Sequence, residues 1–252
     1  GNDILLMPKD VESAKLRLIK AYTNGKISES RLATSVKKIL QAKYKAGLQN
    51  YKPIELKNLY TDLNGLDNDL VYEEAIENAI TIAKNDFSLL PIKKLENKKI
   101  AYVELGDDNG DSFFKELKEY ANVTKVNVSE IAAYPNSIAA YNLVIVGHHK
   151  NNDSPWKSYK YSNDELTTLK EIAKLRTSNL ILAEFAKPYA LLDLDNLDGI
   201  DAIVVAFQNS KLAQEKAAQI IFGAIPANGI LPVTASPELP VKWWPFTFII
   251  PP

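Results

Sequence analysis

The sequence predicts an α/β fold: a doubly wound sandwich of about six mostly parallel strands with helices on both faces. Beyond about Leu70, unbroken apolar runs such as "NLVIVGHH" (142–149), "NLILAEFA" (179–186) and "AIVVAFQ" (202–208) alternate with amphipathic stretches. Strands buried on both faces read as continuous Val/Ile/Leu runs, whereas strands with one wet face alternate polar and apolar residues. Helical crossovers between such runs imply parallel pairing, because no tight turn can join two parallel neighbours.

The elements follow in chain order. Ile4-Leu5-Leu6-Met7 reads as a short buried strand closed by Pro8. Asp10 is placed to cap a helix through Val11, Ala14, Leu18 and Ile19, which Gly25 ends. Ser28 with Arg31 opens a second helix, whose apolar face carries Leu32, Val36, Ile39 and Leu40 and whose C-cap is Gly47. These elements make up a segment 1–48. Residues 49–69 turn polar and aperiodic, with Pro53, Asn58, Asn64 and Gly65, and read as a linker. Residues 70–240 form the sandwich. A helix passes into a short strand in "YEEAIENAITIAKND", and "KIAYVEL" is a strand closed by the turn "GDDNG". Then come the helix "DSFFKELKEYA", the strands "NVTKVNV" and 142–149, and a helix from Asn163 or Asp164. The strand 179–186, the helix "PYALLDLDNL", the strand 202–208, the helix "KLAQEKAAQIIFGAI" and a closing strand "GILPVTAS" complete it. Residues 241–252, "VKWWPFTFIIPP", are an atypical aromatic tail, dense in apolar side chains for a terminus.

Composition excludes several classes of function. Thirty Lys and Arg against thirty-one Asp and Glu leave no basic footprint for nucleic acid. With no cysteine there is no thiolate nucleophile, disulfide or zinc–thiolate site. No apolar run approaches the roughly 18 residues of a spanning helix. The acid-dense stretch "DLDNLD" lacks the glycine and terminal glutamate of a calcium loop, and the acids of "ELGDDNGD" would repel phosphate. Neither a metal site nor a cofactor is expected.

Candidate binding residues lie after one strand. His148 and His149 end the run 142–149, and open α/β sheets bind ligands at the carboxyl ends of their strands. The following loop, "KNNDSPWKSYKYS", is long, polar and aromatic, and Trp156, Tyr159 and Tyr161 have faces suited to stacking on a ligand. His148, His149 and Trp156 are therefore the expected substrate contacts. The competing reading is ordinary packing at a domain surface.

"GNDILLMPKDVESA" followed by "GKISESRLATSVKKILQAKYKAGL" resembles the closing strand and last helices of the barrel of family 3 glycoside hydrolases. "AITIAKND", "LLPI", "FAKPYALL", "FQNS" and "AQIIFGAIPANGILPVT" resemble that family's C-terminal sandwich, in the β-N-acetylglucosaminidase and β-glucosidase branch. The resemblance implies that 1–48 is the remnant of a (β/α)8 barrel and that the missing N-terminal barrel is this chain's partner. It implies a carbohydrate substrate, a bacterial extracytoplasmic setting and a retaining mechanism whose aspartate nucleophile precedes Gly1. The proton donor is a histidine–aspartate pair of the barrel in the glucosaminidase branch and a glutamate of the sandwich in other branches, and no acidic residue here sits in a motif that assigns it that role. No catalytic residue is assigned in this chain, which is expected to be inactive alone and to self-associate through the uncovered faces of 1–48, the aromatic tail or both. The alternative is an independent α/β module that binds a small ligand.

Overall fold

The computed structural model describes residues 2–174 and 178–241, so nearly all of the aromatic tail lies outside the described residues. The chain divides into two compact units, 1–63 and 64–252.

The first unit holds α1 (Val11–Thr23), α2 (Glu29–Lys45) and a short α3 (Leu59–Leu63). The Asp10 side chain accepts from the Ser13 N–H at 3.1 Å, and the Ser28 hydroxyl accepts from the Arg31 N–H at 3.2 Å. Each satisfies a backbone donor that the first helical turn leaves free. Gly25 and Gly47, both at left-handed φ, follow the two helices as the sequence predicts. Residues 4–7 do not form the expected strand. A strand is held by hydrogen bonds to a neighbour, and no described strand pairs with these residues. Asp3 instead ties the segment to α2, with Arg31 at 3.0 Å, Ser35 at 2.7 Å and Lys38 at 2.9 Å. Neither α1 nor α2 contains a buried residue, and Leu16, Ile19, Val36 and Leu40 are exposed.

The second unit opens with α4 (Leu66–Ala79) and builds one six-stranded sheet. Its strands are β1 (Thr81–Asn85), β2 (Ile100–Gly106), β3 (Val123–Lys125), β4 (Leu143–His149), β5 (Asn179–Phe185) and β6 (Ala202–Val205). The spatial order is β1-β6-β5-β4-β2-β3, with every pairing parallel except β1 against β6. The helices are α5 (Asp111–Tyr120), α6 (Val128–Ala133), α7 (Asn163–Lys174) and α8 (Lys211–Phe222). One apolar layer joins Val103, Val144, Val146, Leu180, Leu182 and Ile203 to residues of α6 and α7. The opposite layer joins Tyr102, Ile145, Ile181, Phe185 and Val204 to residues of α4, α5 and α8. Successive side chains of a strand point to opposite faces, so an unbroken apolar run feeds both layers.

The second unit, too, departs from the sequence expectation in places. Residues 229–236 form no strand: the Gly229 N–H donates to Ile80 O, and Pro232 brings no donor for a ladder. The stretch 188–197 forms a 3₁₀ turn over Pro188–Asp193 rather than an α-helix. The cap of α7 is Ser162 rather than Asn163 or Asp164. Its hydroxyl accepts from the Glu165 N–H at 3.2 Å and its N–H donates to the Glu165 carboxylate at 2.6 Å. This reciprocal pair satisfies two helix-start donors.

Candidate binding site at the strand ends

β2 pairs with β3 on one side and β4 on the other, so the order of the sheet reverses between β2 and β4. Ligand crevices of open α/β sheets lie at such reversals, beyond the carboxyl ends of the strands. There the turn after β2 wraps the end of β4, with the N–H groups of Asp107 and Asp108 both donating to His149 O, at 3.0 and 3.2 Å. Gly106, at φ +114, makes this approach possible: a Cβ there would sit 1.8 Å from that carbonyl oxygen. Asp107 Oδ1 also accepts from the Asn151 N–H at 2.9 Å, which fixes the start of the loop 150–161.

The two histidines fall on opposite faces of β4, and both are fully buried. His148 Nδ1 donates to Glu184 Oε1 on the adjacent β5 at 2.7 Å, in register, and Glu165 lies 3.8 Å from Nε2. The Tyr161 ring stacks on the imidazole with centroids 3.7 Å apart, and its hydroxyl donates to Glu184 Oε2 at 2.6 Å. Burial alone would lower the pKa of His148, but the charges of Glu184 and Glu165 outweigh it and raise the value to about 9. Burial also works against ionisation of Glu165, yet nearby His148, the Ser162 N–H and Lys150 hold its pKa at about 2. The face toward α7 thus carries an ion cluster, His148⁺ and Lys150⁺ against Glu184⁻ and Glu165⁻.

On the other face the histidine is neutral. His149 Nδ1 donates to Asn209 Oδ1 at 2.7 Å, and its Nε2 lies 2.9 Å from the Tyr102 hydroxyl. The Asn209 orientation is fixed because its amide donates to Asn109 O at 3.1 Å while its oxygen also accepts from Gln214 Nε2 at 2.9 Å. Burial, acting against the Asn209 bond, takes the His149 pKa down to about 4. Gly147 leaves room for this ring, since a Cβ there would lie 2.4 Å from Nε2.

Of the three expected substrate contacts, then, the structure brings His148 and His149 to neighbouring positions but withdraws both rings from solvent, while Trp156 is 92% exposed on the loop. Tyr161, read from the sequence as a stacking face, is buried on His148. The sequence reading missed Glu184 and Glu165. A lone glutamate inside "NLILAEFA" was the available signal for the first, and the S-x-x-E pattern of Ser162 and Glu165 for the second.

A cavity of about 320 Å³ opens at the ends of β4, β5 and β6, beside this cluster. Lys150, Lys157, Lys187, Tyr159 and Phe207 are among its lining residues, and no carboxylate lines it. Among the described residues no group of His, Asp or Glu is arranged to hold a metal ion, and no helix is long and apolar enough to cross a membrane.

No protein-family profile and no curated protein sequence matches the chain. Solved structures do. A family 3 β-N-acetylglucosaminidase from Paenibacillus sp. superposes with a TM-score of 0.58 at 20% identity, over 90% of this chain and 43% of that one. The β-glucoside phosphorylase BglX gives 0.65 at 16% identity, over 94% and 44%. A β-glucosidase from Listeria innocua, solved with isofagomine, gives 0.58 at 17% identity, over 82% and 33%. The fold is the one found in glycoside hydrolase family 3 enzymes. This chain spans less than half the length of each of these three structures.

Proposed function

We infer that the chain is the C-terminal portion of a family 3 glycoside hydrolase acting on β-linked N-acetylglucosamine or glucose. In this reading it supports a catalytic N-terminal barrel and contributes the loop 150–161 to the substrate entrance. The observation that supports it is agreement in fold over 82–94% of this chain with enzymes of which it spans 33–44%. The buried His148 and His149 hold the loop and the turn after β2 in place, and Trp156 is the side chain free to meet a sugar face.

The purified chain is expected to show no turnover of aryl β-N-acetylglucosaminide or aryl β-glucoside; hydrolysis that persists through repurification would refute the reading. When the chain is joined to its N-terminal half, Trp156→Ala should raise KM about two- to tenfold at unchanged kcat. That is the effect of losing a stacking contact of about 0.5–1.5 kcal/mol. An unchanged KM removes Trp156 from the site.

Alone, the exposed apolar faces of α1 and α2 have no barrel to cover them, and self-association through them follows. Sedimentation velocity should show concentration-dependent growth that a chain starting near Leu70 lacks. Identical monomers at every concentration would count against it.

A further inference from the structure

We propose that the cavity at the ends of β4, β5 and β6 binds a small organic anion, a carboxylate or phosphate carried on a flat ring. The inference concerns a site within the second unit and does not depend on glycosidase activity.

Charge is the first argument. The Lys150 side chain is 8% exposed, and its carboxylate neighbours Asp107 and Glu165 lie at 3.5 and 3.8 Å, at or beyond the limit of a hydrogen bond. The ammonium has three donors, and no described side chain or carbonyl takes one at ordinary hydrogen-bond distance, which leaves them open to a ligand or to water. Lys157 and Lys187 line the same cavity and form no salt bridge with a described residue. Inside the cluster His148⁺ offsets Glu184⁻ and Lys150⁺ offsets Glu165⁻. Asp107 and Asp153 contact the lining residues Lys150 and Asn151 from outside, so the lining itself presents three lysines and no carboxylate.

Shape is the second argument. Lys187 Nζ sits 5.4 Å from the centroid of the Tyr159 ring, so an aromatic face and an ammonium are presented together. Phe207 is also among the lining residues, and its backbone is strained: φ is +66 and the Gln208 N–H donates to Ala206 O at 2.8 Å. This three-residue turn around a left-handed central residue is rare and unfavourable for a bulky side chain. Strain of this kind gathers at ligand clamps. The volume, about 320 Å³, falls at the lower end of the range for small-molecule pockets, and its place beyond parallel strand ends is where open α/β sheets bind ligands.

The test is amide-resolved NMR titration of the full chain with benzoate, phenyl phosphate and inorganic phosphate, and with benzamide as the uncharged counterpart of benzoate. The amides of Asn151, Lys187 and Phe207 should shift saturably with benzoate or phenyl phosphate, and the relative affinities assign carboxylate or phosphate. Inorganic phosphate should bind more weakly because it leaves the ring walls unfilled. Affinity should fall by at least about tenfold in Lys157→Ala/Lys187→Ala and in Lys150→Met. Should Lys150→Met fail to fold, the exposed double substitution decides alone. Benzamide binding as well as benzoate, the absence of saturable shifts with both ring anions, or affinity unchanged by the lysine substitutions would each overturn the proposal. All the readings are taken without sugar, so they stand apart from the outcome of the hydrolysis assay.

Discussion

Glu184→Ala should destabilise the second unit by about 3–5 kcal/mol, the cost of removing one partner from a buried ion pair. For a domain of this size that lowers the melting temperature by about 6–20 °C. His148 then keeps its burial but loses its nearest counter-charge, and the Tyr161 hydroxyl loses its acceptor. Replacing both partners by apolar residues, as in His148→Leu/Glu184→Met, should recover much of the loss, because no charge is then left unpaired. A double substitution as unstable as the single one would show that the pair is not what holds β4 to β5 here. The pH dependence gives a second reading. The folded pKa of His148 is raised to about 9 from an ordinary 6.5, so its contribution is fully present below about pH 6.5 and disappears as pH rises through 9. His149, lowered to about 4, acts in the opposite window: stability falls as pH drops from about 6.5 toward 4. In Glu184→Ala the alkaline loss should shrink, Glu165 alone then facing the ring, while the acid loss remains.

Gly106→Ala is the second large effect expected. The position combines φ of +114 with a Cβ that would lie 1.8 Å from His149 O. Strain of about 1–3 kcal/mol adds to overpacking of about 1–3 kcal/mol, for a loss of roughly 2–6 kcal/mol. Urea unfolding measures it. Gly25→Ala, at φ +69 but with open space around the added methyl, is the control for conformation without a clash, with the smaller loss. Equal losses at the two sites would show that the packed turn around His149 O contributes nothing.

Much of the sheet was legible because burial on both faces writes itself as a run of apolar residues, and β4, β5 and β6 all fall within predicted runs. What sequence could not supply was pairing. Glu184 is conspicuous in "NLILAEFA", but its partner is known only once β4 and β5 lie side by side in a register that sets His148 against Glu184. The antiparallel direction of β1 was hidden for a similar reason: it follows α4 after a single residue, and direction is a property of the pair rather than of the strand. Ile4 to Met7 were read as a strand from composition, yet composition does not provide a neighbour to bond with. The exposed Trp156 and the lysines of the cavity left no periodic trace, since loops are shaped by the ends they join.

The twin histidines at the end of β4 have a consequence for how the sheet assembles. A slip of β4 by one residue against β5 would turn every side chain to the other face, and for most of the strand that exchanges one aliphatic residue for another at little cost. At the final pair the exchange is not neutral. Slipped one way, Gly147 would stand opposite Glu184 and leave its buried carboxylate without a counter-charge; slipped the other way, Lys150 would enter the layer of Phe113 and Phe185. The residues on either side of the twin histidines thus discriminate between registers that the aliphatic residues alone would barely distinguish.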